Sequence, residues 1–152
     1  LSSDIVMPKL GFIALCLALA PSLAAAQATP RQVITPEGSR PNPNLSAAIK
    51  VRNVVYASGQ LGLGQPADST IEGQTRRALD NTKRVIEAAG ATMADVVRCT
   101  VFLTRVSDYR AMNGAYREYF PKDPPARSTV VVAALVSDAA LIEIECTAVI
   151  TK

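Results

Sequence analysis

Apolar residues in this chain recur with two different periods, and the switches between them lay out the elements. Ile71, Thr75, Ala78, Leu79, Thr82, Val85, Ile86 and Ala89 return at helical spacing, opposite Arg76, Arg77, Asp80, Lys83, Arg84 and Glu87. One apolar stripe against one charged face predicts a helix packed on a single wall. Ser69-Thr70-Ile71-Glu72 reads as its capping box, with the Ser69 hydroxyl and the Glu72 carboxylate satisfying orphan amides reciprocally. Gly90 closes the far end. A second helix is predicted over residues 109–120, capped by Ser107-Asp108 and stopped by Pro121.

Elsewhere the period is two. Residues 95–104 place Val97, Cys99, Val101 and Leu103 on one face and Arg98, Thr100 and Phe102 on the other. Residues 141–150 place Ile142, Ile144, Cys146 and Ala148 against Glu143, Glu145, Thr147 and Val149. Shorter strand-like runs cover residues 32–34, 46–51, 54–57 and 128–133, with Arg52-Asn53 as a two-residue hairpin. The order is β-β-β-α-β-α-β-β. Two helices that each need one apolar wall fit an α+β domain, with one sheet carrying both on the same side. The other face of that sheet bears Thr, Arg, Phe and Glu in place of solvating lysines. Such a face usually meets another chain, which points to a closed homo-oligomer with any site lying between subunits.

The N-terminal stretch changes the picture of the domain. From Met7, a basic Lys9, an apolar core over residues 10–20, Pro21 and the alanines before Gln27 have the layout of a secretory signal peptide. The expected organisation is therefore upstream residues and signal over 1–26 and a single domain over 27–152, in a periplasmic or secreted protein. Once the signal is removed, nothing calls for membrane attachment. Removal takes one lysine and one aspartate, so the net charge stays at +3. No cluster of five or more basic residues is present, which argues against a nucleic-acid partner. Cys99 and Cys146 remain in the mature chain. An oxidising compartment permits a disulfide between them, but each sits in an apolar β-like run where buried free cysteine is the commoner state.

Chemistry must be found without histidine, which excludes a His-based triad or a His-containing metal site. Residues 58–68, SGQLGLGQPAD, form a glycine-rich stretch read as a loop; its spacing is not a dinucleotide fingerprint. Arg127 stands out, set between Pro124-Pro125 and a β-branched run. By spacing alone it is an arginine at the start of a strand, paired to a neighbouring carboxylate. Glu143 and Glu145 share a face, and either could be an ion-pair partner between subunits. Asn113 reads equally well as a mid-helix polar residue bonding the backbone, and the Arg76/Arg77/Lys83/Arg84 group as a solvated helix face.

The segments VYASGQLG (55–62), ALDNTKRVIEAAGATMADVVRCTVFL (78–103), MNGAYREYF (112–120), PPARSTVVVAAL (124–135) and LIEIECTAV (141–149) together resemble the RidA/YjgF/YER057c/UK114 family of reactive-intermediate deaminases. The resemblance covers residues 45–149. It implies a chorismate-mutase-like (YjgF-type) fold, one mixed sheet with two helices on one face, assembled as a homotrimer with a cleft at each interface. It implies hydrolysis of 2-enamine/2-imine intermediates, of the 2-aminoacrylate or 2-iminopropionate type, to a 2-keto acid and ammonium. No metal or cofactor is implied. Small imino or keto acids and other copies of the chain would be the partners. In this reading Arg127 anchors the substrate carboxylate, since a planar guanidinium matches it in a bidentate way. Glu143 activates or positions the attacking water, and Ser58, Gly59 and Asn113 line the cleft. A non-enzymatic carboxylate-binding trimer or a holdase on the same scaffold is the alternative. The chain departs from the family pattern at Leu45, where an aromatic hydroxyl often stands, and at Thr129, where deaminases often carry cysteine. The connection over 135–143 is one residue longer.

Overall fold

The computed structural model describes residues 30–64 and 69–151. The signal-peptide reading of 1–26, Cys16 within it, and residues 65–68 of the glycine-rich stretch lie outside the described residues. Eight principal elements follow in the order read from the sequence: β1 (Gln32–Ile34), β2 (Ala48–Val51), β3 (Val54–Leu61), α1 (Ile71–Ala88), β4 (Val96–Leu103), α2 (Tyr109–Tyr119), β5 (Ala126–Val131) and β6 (Ile142–Val149). The strands form one mixed sheet in the order β1-β2-β3-β6-β4-β5, with only β4 and β5 parallel. Arg52 takes a positive φ of 55° at the β2–β3 turn, the backbone that a tight two-residue hairpin requires.

The helices cover one face of the sheet and each other. Ala78, Leu79 and Ile86 from α1 and Met112 from α2 join Val55, Val101, Leu103, Ile142 and Ile144 from the strands in a single buried cluster. On α1 the predicted stripe is the buried one, with one addition. Gln74 is 2% exposed. Its amide donates to the Ala139 carbonyl at 2.8 Å and accepts from the Leu141 amide at 2.7 Å, tying α1 to the segment that feeds β6. A polar residue on the buried face escapes periodicity because hydropathy alone assigns it to solvent. Buried Thr75 and Thr82 are satisfied within the helix, donating to the Ile71 and Ala78 carbonyls.

Several boundaries differ from the sequence reading, each for a local reason. The cap of α1 is Thr70, whose hydroxyl accepts from the Gly73 amide at 3.1 Å. The helix therefore starts one residue later than a Ser69 cap implies, and Glu72 serves the positive end of the helix without closing a box. A reciprocal box exists instead at Thr92 and Asp95. Gly90, at φ +82°, ends α1 with Ala91 N–H on the Ile86 carbonyl and Gly90 N–H on the Glu87 carbonyl, a Schellman arrangement. Asp108 does not cap α2 with its side chain; its carboxylate takes Arg105 at 2.9 Å. Val97 is exposed and Val96 buried, because β4 bulges between Val96 and Arg98 and the alternation slips by one.

The largest revision concerns residues 58–61, read as loop. They continue β3, which bulges between Ala57 and Gln60 and goes on pairing with β6 as far as Leu61 opposite Glu143. The cysteines are the other correction. Cys99 and Cys146 are direct register partners on β4 and β6, both facing the core, and are joined as a disulfide. Two apolar strands that happen to be neighbours turn two buried thiols into one cystine.

Candidate active site

Arg127 lies inside β5, not ahead of it, as the parallel register partner of Cys99. Cys99 points into the core, so Arg127 emerges on the helix-covered face at the edge of the sheet, beside α2. There it meets three groups from one side of that helix. Its Nη2 donates to Asn113 Oδ1 at 2.5 Å, and its Nη1 approaches Met112 Sδ at 3.9 Å. The guanidinium carbon lies 4.5 Å from the centre of the Tyr116 ring. All three partners are neutral. No carboxylate among the described residues pairs with Arg127, so the ion-paired arginine that spacing alone favoured is not what the fold builds. Beside it opens a cavity of about 340 Å³, walled by Asn113, Tyr116, Arg117, Phe120 and the Pro124-Pro125 turn.

Tyr116 is the residue that sequence reasoning missed. It is 5% exposed, stacks obliquely on Phe120 at 4.8 Å, and floors the guanidinium. Burial pushes its phenol up to about 12, an effect the Arg127 charge opposes only in part. The ring is thus a neutral, electron-rich platform. Its hydroxyl has no hydrogen-bond partner among the described residues. The available signal was the position of Tyr116 on α2, four residues after Met112 and three after Asn113, which puts it one turn from both.

Glu143 occupies a different surface. Its register partners are Phe102 on β4 and Leu61 on β3, and it projects from the bare face of the sheet. Its carboxylate lies against the Gly59 backbone: a Cβ built at residue 59 would sit 1.9 Å from Oε1. Gly59 is therefore required at the bulge so that the carboxylate can approach. Ser58 is occupied structurally, its hydroxyl donating to the Ser46 carbonyl at 2.7 Å and its amide to the Ala47 carbonyl at 3.0 Å. Glu145 shares the bare face but sits elsewhere, in a separate cleft with Tyr56, Arg98 and Thr147.

The fold thus assembles the expected residues into two halves. Arg127 and Asn113 form one, on the helix side. Glu143 and Gly59, with Ser58 behind them, form the other, on the open side. Alternation along β5 and β6 sends Arg127 and Glu143 to opposite faces, so a single chain does not bring them together. Among the described residues no three His, Cys, Asp or Glu side chains are grouped as a metal site.

Residues 37–150 match the family described as Endoribonuclease L-PSP. The chain is 39% identical over 127 residues to 2-iminobutanoate/2-iminopropanoate deaminase of Dermatophagoides farinae, covering 80% of this chain and 98% of that protein. It is 41% identical over 121 residues to 3-aminoacrylate deaminase RutC of Acinetobacter baylyi, covering 76% of this chain and 94% of that one. The crystal structure of the YjgF gene product from E. coli superposes with a TM-score of 0.71 at 33% identity, covering 78% of this chain and 98% of its own.

Proposed function

Because the chain belongs to the RidA/YjgF/YER057c/UK114 family, we propose that it hydrolyses 2-enamine/2-imine intermediates to 2-keto acids and ammonium, at clefts between the subunits of a homotrimer. One observation carries this reading: a guanidinium in a cavity wall, held in orientation by neutral groups and without a carboxylate partner among the described residues. Asn113 and the Tyr116 ring fix its plane without neutralising it. A 2-imino acid then brings the missing carboxylate.

The open half supplies the water. Glu143 of the partner subunit, held against its own Gly59, directs a water at the imine carbon and takes one of its protons. The C–O bond forms and the C=N electron pair moves to nitrogen, which is protonated, giving a carbinolamine. Glu143 then returns its proton to the nitrogen, the C–N bond breaks as the hydroxyl gives its proton to water and the C=O of the keto acid forms, and the ammonia released is protonated to ammonium. A protonated imine is already electrophilic, so a positioned carboxylate of modest basicity suffices. Glu143 is favoured over Glu145 because only Glu143 packs on the Gly59 backbone. The bare sheet face supports assembly: Tyr56, Val130 and the loop residue Val136 are exposed, Val136 at 90%. The buried Cys99–Cys146 bond supports export to an oxidising compartment, in line with the signal-like N-terminus. A net charge of +3 without a run of five or more basic residues argues against a nucleic-acid partner.

The test is the decay of 2-iminopropionate, made in situ by an amino-acid oxidase and trapped as semicarbazone. Faster loss of imine with the protein present is the expected result. Unchanged decay, together with saturable binding of keto acids, would replace this reading with a carboxylate-binding trimer. Gly59→Ala probes the other half. A methyl there collides only with the mobile end of the Glu143 side chain, so folding should survive while the carboxylate is displaced. We expect a fall in kcat on the order of tenfold to a hundredfold with little change in KM. A rise in KM alone would show that Glu143 does not act on the water.

A further inference from the structure

A cavity of about 290 Å³ lies under the loop joining β1 to β2, bounded also by the bulged part of β3 and by α1. Its walls carry two arginines from distant parts of the chain, Arg40 and Arg84, and no aspartate or glutamate. Neither guanidinium has a carboxylate partner among the described residues. That separates Arg84 from the charged helix face to which its position assigns it. On that face Arg76 forks onto Glu118 at 2.7 and 2.8 Å, and Lys83 reaches Glu87 at 3.9 Å. Arg40 is presented by a folded loop. The Ser39 amide closes a turn on the Pro36 carbonyl at 3.0 Å with Gly38 at φ +73°, and the Asn44 amide donates to Asn42 Oδ1 at 2.8 Å. Two cationic residues lining one cavity, with no carboxylate in its wall, suit an anion.

The position of this cavity gives the anion a context. Gly59, whose bare backbone admits the Glu143 carboxylate, is also part of the cavity wall, beside Leu45 and Gln60. The cavity therefore adjoins the water-directing half of the proposed site and lies away from the Arg127 anchor. Its volume leaves ample room for a short side chain that ends in a carboxylate.

We infer that this cavity receives the second anionic group of the substrate, so that the chain accepts 2-imino dicarboxylates as well as 2-iminopropionate. The inference rests on the deaminase reading above. The chemistry is unchanged: water adds to the imine carbon and ammonia departs, while the distal carboxylate stays bound between Arg40 and Arg84.

The test compares the whole chain with its Arg40→Gln/Arg84→Gln variant on 2-iminosuccinate and 2-iminopropionate, each made in situ by an oxidase. Both arginines are exposed and have no carboxylate partner among the described residues, so the variant should fold. It should lose about tenfold in kcat/KM on 2-iminosuccinate, through KM, and stay within about twofold of the parent on 2-iminopropionate. Equal losses on both imines, or none on either, would overturn the inference. A thermal-shift titration with succinate separates this failure from that of the deaminase reading. Stabilisation of the parent but not the variant supports an anion site whichever imine turns over. If the parent hydrolyses neither imine yet shows that difference, the deaminase reading falls, the substrate assignment falls with it, and the anion site stands. No difference between the two proteins removes the site.

Discussion

Arg127→Ala should abolish measurable turnover and leave a folded protein. The guanidinium is asked to hold a carboxylate through two charge-assisted hydrogen bonds, each contributing about 2 kcal/mol in a half-buried setting. Their loss amounts to about 4 kcal/mol, or about a thousandfold in kcat/KM. The structural cost is smaller. Arg127 leaves behind one hydrogen bond to Asn113 and its contact with the Tyr116 ring, about 1–2 kcal/mol in total. Circular dichroism and thermal melts should therefore stay close to those of the parent while imine decay returns to the uncatalysed rate. Arg127→Lys should recover little, because an ammonium keeps the charge but lacks the fork and the flat face that rests on the ring. A variant without the guanidinium that retained turnover within about twofold would remove the anchor from the mechanism. Recovery of full rate by lysine would reduce its role to a point charge.

Reduction of the Cys99–Cys146 bond should cost nearly as much in stability as Arg127 costs in rate. The bond closes 47 residues of chain between two central strands. Loop-closure entropy for that length gives about 4 kcal/mol, a lowering of the melting temperature on the order of 10–15 °C for a domain of this size. Both cysteines lie in the core at 1% and 3% exposure, so reductant acts on the unfolded chain rather than the native one. Denaturation with and without reductant is the appropriate comparison, with Cys99→Ala/Cys146→Ala as the covalent control. Thiol titration of the denatured exported protein, residues 27–152, gives an independent reading. That segment holds two cysteines, and the oxidised protein should titrate neither. Two titratable thiols, or coincident denaturation curves, would defeat the assignment and with it the structural support for export.

These expectations rest on features that were unequally visible in the sequence. The order of elements, the buried stripe of α1, the inward set Ile142, Ile144, Cys146 and Ala148 and the glycine stop at residue 90 could all be read from hydrophobic period and cap chemistry. Local physics decides them, because helix and strand periods are properties of a few consecutive residues. Local competition also explains the misreadings. Thr70 took the cap that Ser69 could have supplied, and bulges at residues 58–59 and 97 moved a loop into a strand and a valine to the surface. The family resemblance identified Arg127, Asn113, Gly59 and Glu143 as residues of interest.

Adjacency between strands is a different kind of information. Nothing in the intervening residues states that β4 and β6 are neighbours in register, yet that pairing turns Cys99 and Cys146 into a cystine. The same sheet order sends Arg127 to the helix side with Tyr116 beneath it and Glu143 to the bare side over Gly59. It also brings Arg40 and Arg84 to one cavity. The amino-acid sequence by itself determined the elements, their buried faces and the chemical repertoire. The tertiary structure decided which of those groups meet, because a one-residue change of register reverses every side chain on a strand, and register is set by the packing of the whole sheet against its helices.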